Sequence, residues 1–135
     1  MKYLLDTNVL IGMLRGENGI REAILSAGFE NCAVSDLSLG ELYVGAYKRG
    51  YREDIEELSF IEDHFQLIST TGTPELYGKL RAGMESSGER IDDIDLLIGC
   101  TSIANKLIMV THNVRHFSRI PGIVIEDWEK PTVQQ

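Results

Sequence analysis

Met1-Lys2-Tyr3-Leu4-Leu5-Asp6-Thr7-Asn8 opens the chain and decides the reading of the rest. Tyr3-Leu4-Leu5 is a short apolar run that ends abruptly in three polar residues, and Val9-Leu10-Ile11 follows at once. A run this short, bounded by polar residues, reads as a buried strand. Asn8 is a good N-cap for a helix starting at Val9. Asp6 therefore stands where a central strand stops and the chain turns into a helix. In open parallel α/β sheets, ligands bind at that edge, outside the carboxyl ends of the strands.

Working outward, the same alternation repeats. Val9 to Leu14 reads as a short helix broken by Arg15-Gly16-Glu17-Asn18-Gly19, and Ile20 to Ala27 as a second that Gly28 stops. Cys32-Ala33-Val34 is a second strand running into Ser35-Asp36, followed by a helix over Leu37 to Arg49 that Gly50 ends. Arg52 to His64 spaces Ile55, Leu58 and Ile61 at helical intervals among acids, the pattern of a solvated amphipathic helix. Phe65 to Ile68 is the third strand. Thr73 and Pro74 are placed as N-cap and first residue of a helix carrying Leu76, Tyr77, Leu80 and Met84. Asp92 opens a strongly apolar helix running to Leu107, Leu107 to Val110 is the fourth strand, and Ile123 to Ile125 the fifth. Strands alternating with helices point to an α/β fold with a mostly parallel sheet covered on both faces. Residues 1–130 read as one domain, and residues 131–135 as a frayed tail.

Composition narrows the class. With 135 residues, 43% of them hydrophobic, the chain can bury a sizeable core. Its two cysteines, Cys32 and Cys100, each lie in an apolar segment and read as buried thiols in a reducing compartment. No membrane-length apolar run or basic leader is visible, so the cytoplasm is the expected location. The net charge of −8 argues against a protein that coats nucleic acid, but not against an enzyme whose acids gather around cations.

Four places bring polar groups to strand ends or helix starts: Asp6, Glu41, the Asp92/Asp95 pair, and Asn113. Ser38 and Glu41 share a helical face with Gly45, and Asp92 and Asp95 share one with Gly99. An acid in an otherwise apolar helix needs an explanation, because an unpaired buried carboxylate is costly. Oxygen-only ligands suit Mg²⁺ or Mn²⁺, whereas zinc would call for clustered His and Cys. Each residue also has a plainer reading: Asp92 as an N-cap, Glu41 as a solvated helix residue, Asn113 as a turn residue. His112 and His116 read as surface residues. Two other acid-edged folds fit poorly. A receiver domain needs an acidic pair after strand one and an Asp ending strand three, where Ile68-Ser69-Thr70 stands. A HAD-type phosphatase needs a second Asp at Asn8.

Taken in order, these stretches resemble a PIN domain, and more closely the VapC-type ribonuclease toxins of toxin–antitoxin pairs. The resemblance is carried by Leu4 to Ile11, Ser35 to Leu42 with Gly45, Ile91 to Gly99, and Val110-Thr111-His112-Asn113 followed by Phe117 to Gly122 and Glu126-Asp127-Trp128. It implies a three-layer α/β/α sandwich with a five-stranded sheet of order 3-2-1-4-5, and Mg²⁺- or Mn²⁺-dependent endonucleolytic cleavage of RNA. Asp6, Glu41 and Asp95 match the family's main acids, with Asn113 at the fourth position and Asp92 as an additional acid at the edge. Thr7, Ser38 and Thr111 fall at supporting polar positions. Arg15, Arg81, Arg115 and Arg119 are candidates for gripping RNA phosphates. The resemblance further implies a homodimer and a cognate VapB-type antitoxin that places a basic side chain in the acidic pocket. The alternative is a catalytically silent PIN domain that binds RNA or protein without cutting.

Overall fold

The computed structural model describes residues 2–69 and 74–129. Five parallel strands form one sheet: β1 (Tyr3–Leu5), β2 (Cys32–Ser35), β3 (Gln66–Ile68), β4 (Ile108–Val110) and β5 (Ile125–Glu126). Their order is β3-β2-β1-β4-β5, as the resemblance implies. β1 is central, with Leu4 opposite both Ala33 and Met109.

The two-residue period of the strands divides the core. Leu5, Cys32, Val34 and Val110 pack to one side with α1 (Thr7–Arg15), α2 (Ile20–Ala27), α3 (Asp36–Arg49) and α4 (Arg52–His64). Leu4, Ala33, Ile68 and Met109 pack to the other with α5 (Pro74–Ser86), α6 (Asp93–Ala104) and the segment around α7 (Val114–Phe117). Strands apolar on both faces are what a sheet between two helical layers requires. Both cysteines are free and buried.

The local differences from the sequence reading are instructive. α1 starts at Thr7, not Val9, and the residue at its N-cap is Asp6, whose side chain accepts the Thr7 N–H. Asp6 and Asn8 are equally good caps by residue type, so only the strand's end point separates them. α6 stops at Ala104, and Asn105-Lys106, with Lys106 at φ 55°, makes the turn into β4. β5 lies at Ile125–Glu126, two residues beyond the expected start, because it is Met109 and Val110 that set its register. α7 has four residues, too few to leave a helical period in the sequence. α4 is amphipathic as read, burying Leu58 and Ile61. The Thr73 cap and the 131–135 tail lie outside the described residues.

Candidate active site

At the carboxyl end of β1, Asp6 is only 4% exposed. Its Oδ1 accepts the Thr7 N–H at 2.8 Å, and its Oδ2 accepts the Thr111 hydroxyl at 2.9 Å. The Thr111 Oγ1 in turn accepts the Asn113 N–H at 3.0 Å. Thr111 follows β4, the neighbour of β1, so adjacent strand ends clamp the carboxylate from two sides. Burial pushes the Asp6 carboxyl above the ordinary range; the Thr111 and Thr7 hydrogen bonds oppose this, and the nearby charges of Asp95 and Glu41 add to it.

Glu41 reaches this edge from α3. Ser35 caps that helix, its Oγ accepting the Ser38 N–H at 3.0 Å and donating to the Ser38 Oγ at 3.2 Å. Ser38 is thereby held at the helix start, one turn before Glu41. Thr7 bridges the elements directly, its hydroxyl donating to Glu41 Oε1 at 2.9 Å. Asp95 sits in the first turn of α6. Asp92 occupies the N-cap position of α6 without a side-chain capping bond and is exposed beside that turn. Asn113 is exposed at the N-cap of α7, linked to Asp6 through its backbone and Thr111.

His116 corrects the surface reading. Its side chain is 24% exposed, and Nε2 lies 3.0 Å from Asp95 Oδ2. His112 does stay at the surface, 65% exposed, where Nδ1 meets Asp127 at 3.1 Å and Glu129 at 3.0 Å. The two histidines therefore face different partners and form no i,i+4 pair. Only the three-dimensional approach of α7 to α6 reveals the His116 contact.

The four arginines separate. Arg15 lines a cleft of about 370 Å³ together with Thr7 and Glu41, and also a second cleft that includes Asn8 and Asn113. Arg115 is exposed on α7. Arg81 donates to the Ile91 carbonyl at 3.0 Å and to Asp93 at 2.9 Å, fastening α5 to the start of α6. Arg119 is engaged with His116 and Glu89. Arg49, which the sequence did not single out, lines the Glu41 cleft and lies over Gly45, where an added Cβ would meet its Nη1 at 3.2 Å.

Three acids from three separate segments thus meet at one sheet edge, with Asp6 buried among like charges. A PIN domain family model matches residues 3–123. The chain belongs to the PIN domain family. Among curated relatives, ribonuclease VapC2 of Rickettsia felis is 31% identical over 96% of this chain and all of that protein. The tRNA(fMet)-specific endonuclease VapC of Salmonella typhimurium is 31% identical, with 95% and 98% covered. A chain of VapBC2 from Rickettsia felis, solved bound to a DNA fragment from its promoter, superposes with a TM-score of 0.87 at 28% identity, covering 96% of this chain and 100% of that one. The DNA-bound VapBC of Salmonella typhimurium gives 0.80 at 28% identity over 95% and 98%.

A divalent cation fits the chemistry of this edge. The donors are carboxylate oxygens, the ligands hard cations prefer, and a carboxylate pushed up by burial first, and then by the charges of Asp95 and Glu41, is one that a cation stabilises. Among the described residues no helix is long and apolar enough to cross a membrane.

Proposed function

We propose that this PIN domain is a Mg²⁺- or Mn²⁺-dependent endoribonuclease, the toxin of a type II toxin–antitoxin module acting in the cytoplasm. The observation that carries this reading is the convergence of Asp6, Glu41 and Asp95 at the carboxyl edge of the sheet, with Asp6 buried. Asp6 and Asp95 would hold the ion, with Glu41 completing the shell or orienting the attacking water. Asn113 and Asp92 stand at the margins of the ligand set. When bound, such an ion activates water and stabilises charge developing on the phosphate.

The chain's own contribution is preorganisation. Thr111 and the Thr7 amide fix both oxygens of Asp6, and the Thr7 hydroxyl fixes Glu41, so little reordering is needed when substrate arrives. Of the four candidate arginines, Arg15 and Arg115 are the best placed to meet RNA phosphates, Arg15 in the lining of the cleft and Arg115 on the surface. Arg81 and Arg119 would do so only by giving up their present partners.

The cognate antitoxin has a fitting surface. A trough of about 360 Å³ between α1, α2 and α4, with Leu25 and Phe60 on its walls, shares Leu14 and Glu57 with the Glu41 cleft. An amphipathic helix in the trough could continue into the cleft and present a basic side chain to the acids. A homodimer completes the proposal, testable by analytical ultracentrifugation.

The test is cleavage of end-labelled total RNA by purified, antitoxin-free protein with Mg²⁺, Mn²⁺ or EDTA, beside Asp95→Asn. Discrete metal-dependent products absent from the variant are expected. Intact RNA after incubation with folded, metal-loaded protein would favour the silent binding module. Equal cutting by the variant would mean that another enzyme was responsible.

A further inference from the structure

Arg119, His116 and Asp95 form a hydrogen-bonded chain leading into the acidic edge. Arg119 Nη2 lies 2.9 Å from His116 Nδ1, and His116 Nε2 lies 3.0 Å from Asp95 Oδ2. A guanidinium only donates, so Nδ1 must be the accepting nitrogen. The ring hydrogen is then on Nε2 and points at Asp95. The bond to one imidazole nitrogen fixes the protonation of the other.

The chain is anchored at each link. Arg119 Nε also donates to the His116 carbonyl at 3.2 Å, and Nη1 pairs with Glu89 at 3.4 Å. Phe117, next to His116, and Ile120, next to Arg119, are 2% and 1% exposed. Gly99, one turn beyond Asp95 on α6, lets this segment approach closely: a Cβ there would fall 2.6 Å from Ile120 Cδ1. The imidazole therefore sits on a packed segment and its partner on an adjoining helix.

We propose that His116 and Arg119 are positioning residues: Arg119 holds His116 as the neutral Nε2–H tautomer, and His116 orients the Asp95 carboxylate for a divalent cation. A neutral donor fixes the carboxylate without cancelling its charge. A cationic donor in the same place would compete with the ion. The inference rests on the reading of Asp95 as a metal-holding acid. It gives Arg119 a role inside the protein instead of on the RNA backbone. Hydrogen-bonding partners of ligating groups are worth about 10–100-fold in metal affinity.

Two measurements test it, neither depending on RNA cleavage. Long-range ¹H–¹⁵N correlation spectra of the metal-free protein report the tautomer: His116 should carry its hydrogen on Nε2, and Arg119→Ala should turn it into a mixture. An Nδ1–H ring in the unaltered protein overturns the inference. Calorimetric titration with Mn²⁺ tests the consequence. His116→Ala should weaken binding about tenfold or more, while His116→Gln, which can still donate to Asp95, should recover most of the loss. Because the tautomer is read in the unaltered protein and His116→Gln preserves the donor, misfolding of the alanine variant cannot shield the idea. Asp95→Asn separates the two levels. If it loses Mn²⁺ while His116→Ala does not, the positioning role is wrong. If Asp95→Asn binds Mn²⁺ normally, the metal-site reading itself fails.

Discussion

Replacing Thr111 by valine removes one hydroxyl while nearly preserving side-chain volume. Thr111 is fully buried, and that hydroxyl donates to Asp6 Oδ2 at 2.9 Å and accepts the Asn113 N–H at 3.0 Å. A hydrogen bond to an ionised group contributes about 1.5–3 kcal/mol, and leaving its buried partner unsatisfied carries the full desolvation cost. The Asn113 amide matters less, since Asn113 is exposed and water can replace the hydroxyl. The extra methyl recovers part of the loss, at about 0.8 kcal/mol per buried carbon. The expected net destabilisation of the metal-free protein, at a pH where Asp6 is ionised, is about 2 kcal/mol, or about 8 °C in Tm for a domain of this size.

The effect should depend on pH. Thr111 holds the Asp6 carboxyl down against burial, so valine raises it further. The penalty is therefore largest where Asp6 is ionised in both proteins and shrinks as falling pH protonates it. Urea unfolding in EDTA at several pH values reads this directly. A loss below about 0.5 kcal/mol, well under the handicap of a buried ionised acceptor without its donor, would refute the reasoning. So would a loss that does not change with pH.

Asp6→Asn should behave oppositely in the absence of metal. Since the folded-state pKa of Asp6 lies above the ordinary value, the native protein holds this proton more tightly than the unfolded chain does. Stability is then lost as pH rises from the unfolded pKa through the folded one, so the Asp6 carboxyl is a cost to folding above the unfolded pKa. Scanning calorimetry in EDTA should find the asparagine variant more stable than the parent, with Mg²⁺ no longer raising its Tm; a less stable variant would contradict this. Cys32, fully buried with its thiol pushed up to about 11 by burial and then by Glu30, should resist iodoacetamide at pH 8 in the native state and react on unfolding in urea. Gly99→Ala should displace Ile120, offsetting a helix-propensity gain of about 1 kcal/mol with an overpacking cost of about 1–3 kcal/mol. Urea unfolding should show a net change between about 0 and 2 kcal/mol destabilising, and a variant clearly more stable than the parent would show that the contact is loose.

By itself the sequence determined the alternation of strands and helices and the acids available at their ends. Those signals are local: apolar periodicity, stop residues and polar caps lie within a few positions of one another. It pointed to Asn8 as the cap where the structure uses Asp6, and gave no sign of α7. The 3-2-1-4-5 order followed from the family resemblance, since periodicity does not state which strands pair. Tertiary structure decided what the acids experience. Burial raises the Asp6 carboxyl, and the hydroxyl that opposes the rise comes from Thr111, 105 positions away. His116 became a partner of Asp95, 21 positions earlier, because Gly99 lets two segments close on each other. Burial, charge and hydrogen bonding act through space, so residues distant in the chain acquire their chemistry only when packing fixes their separation.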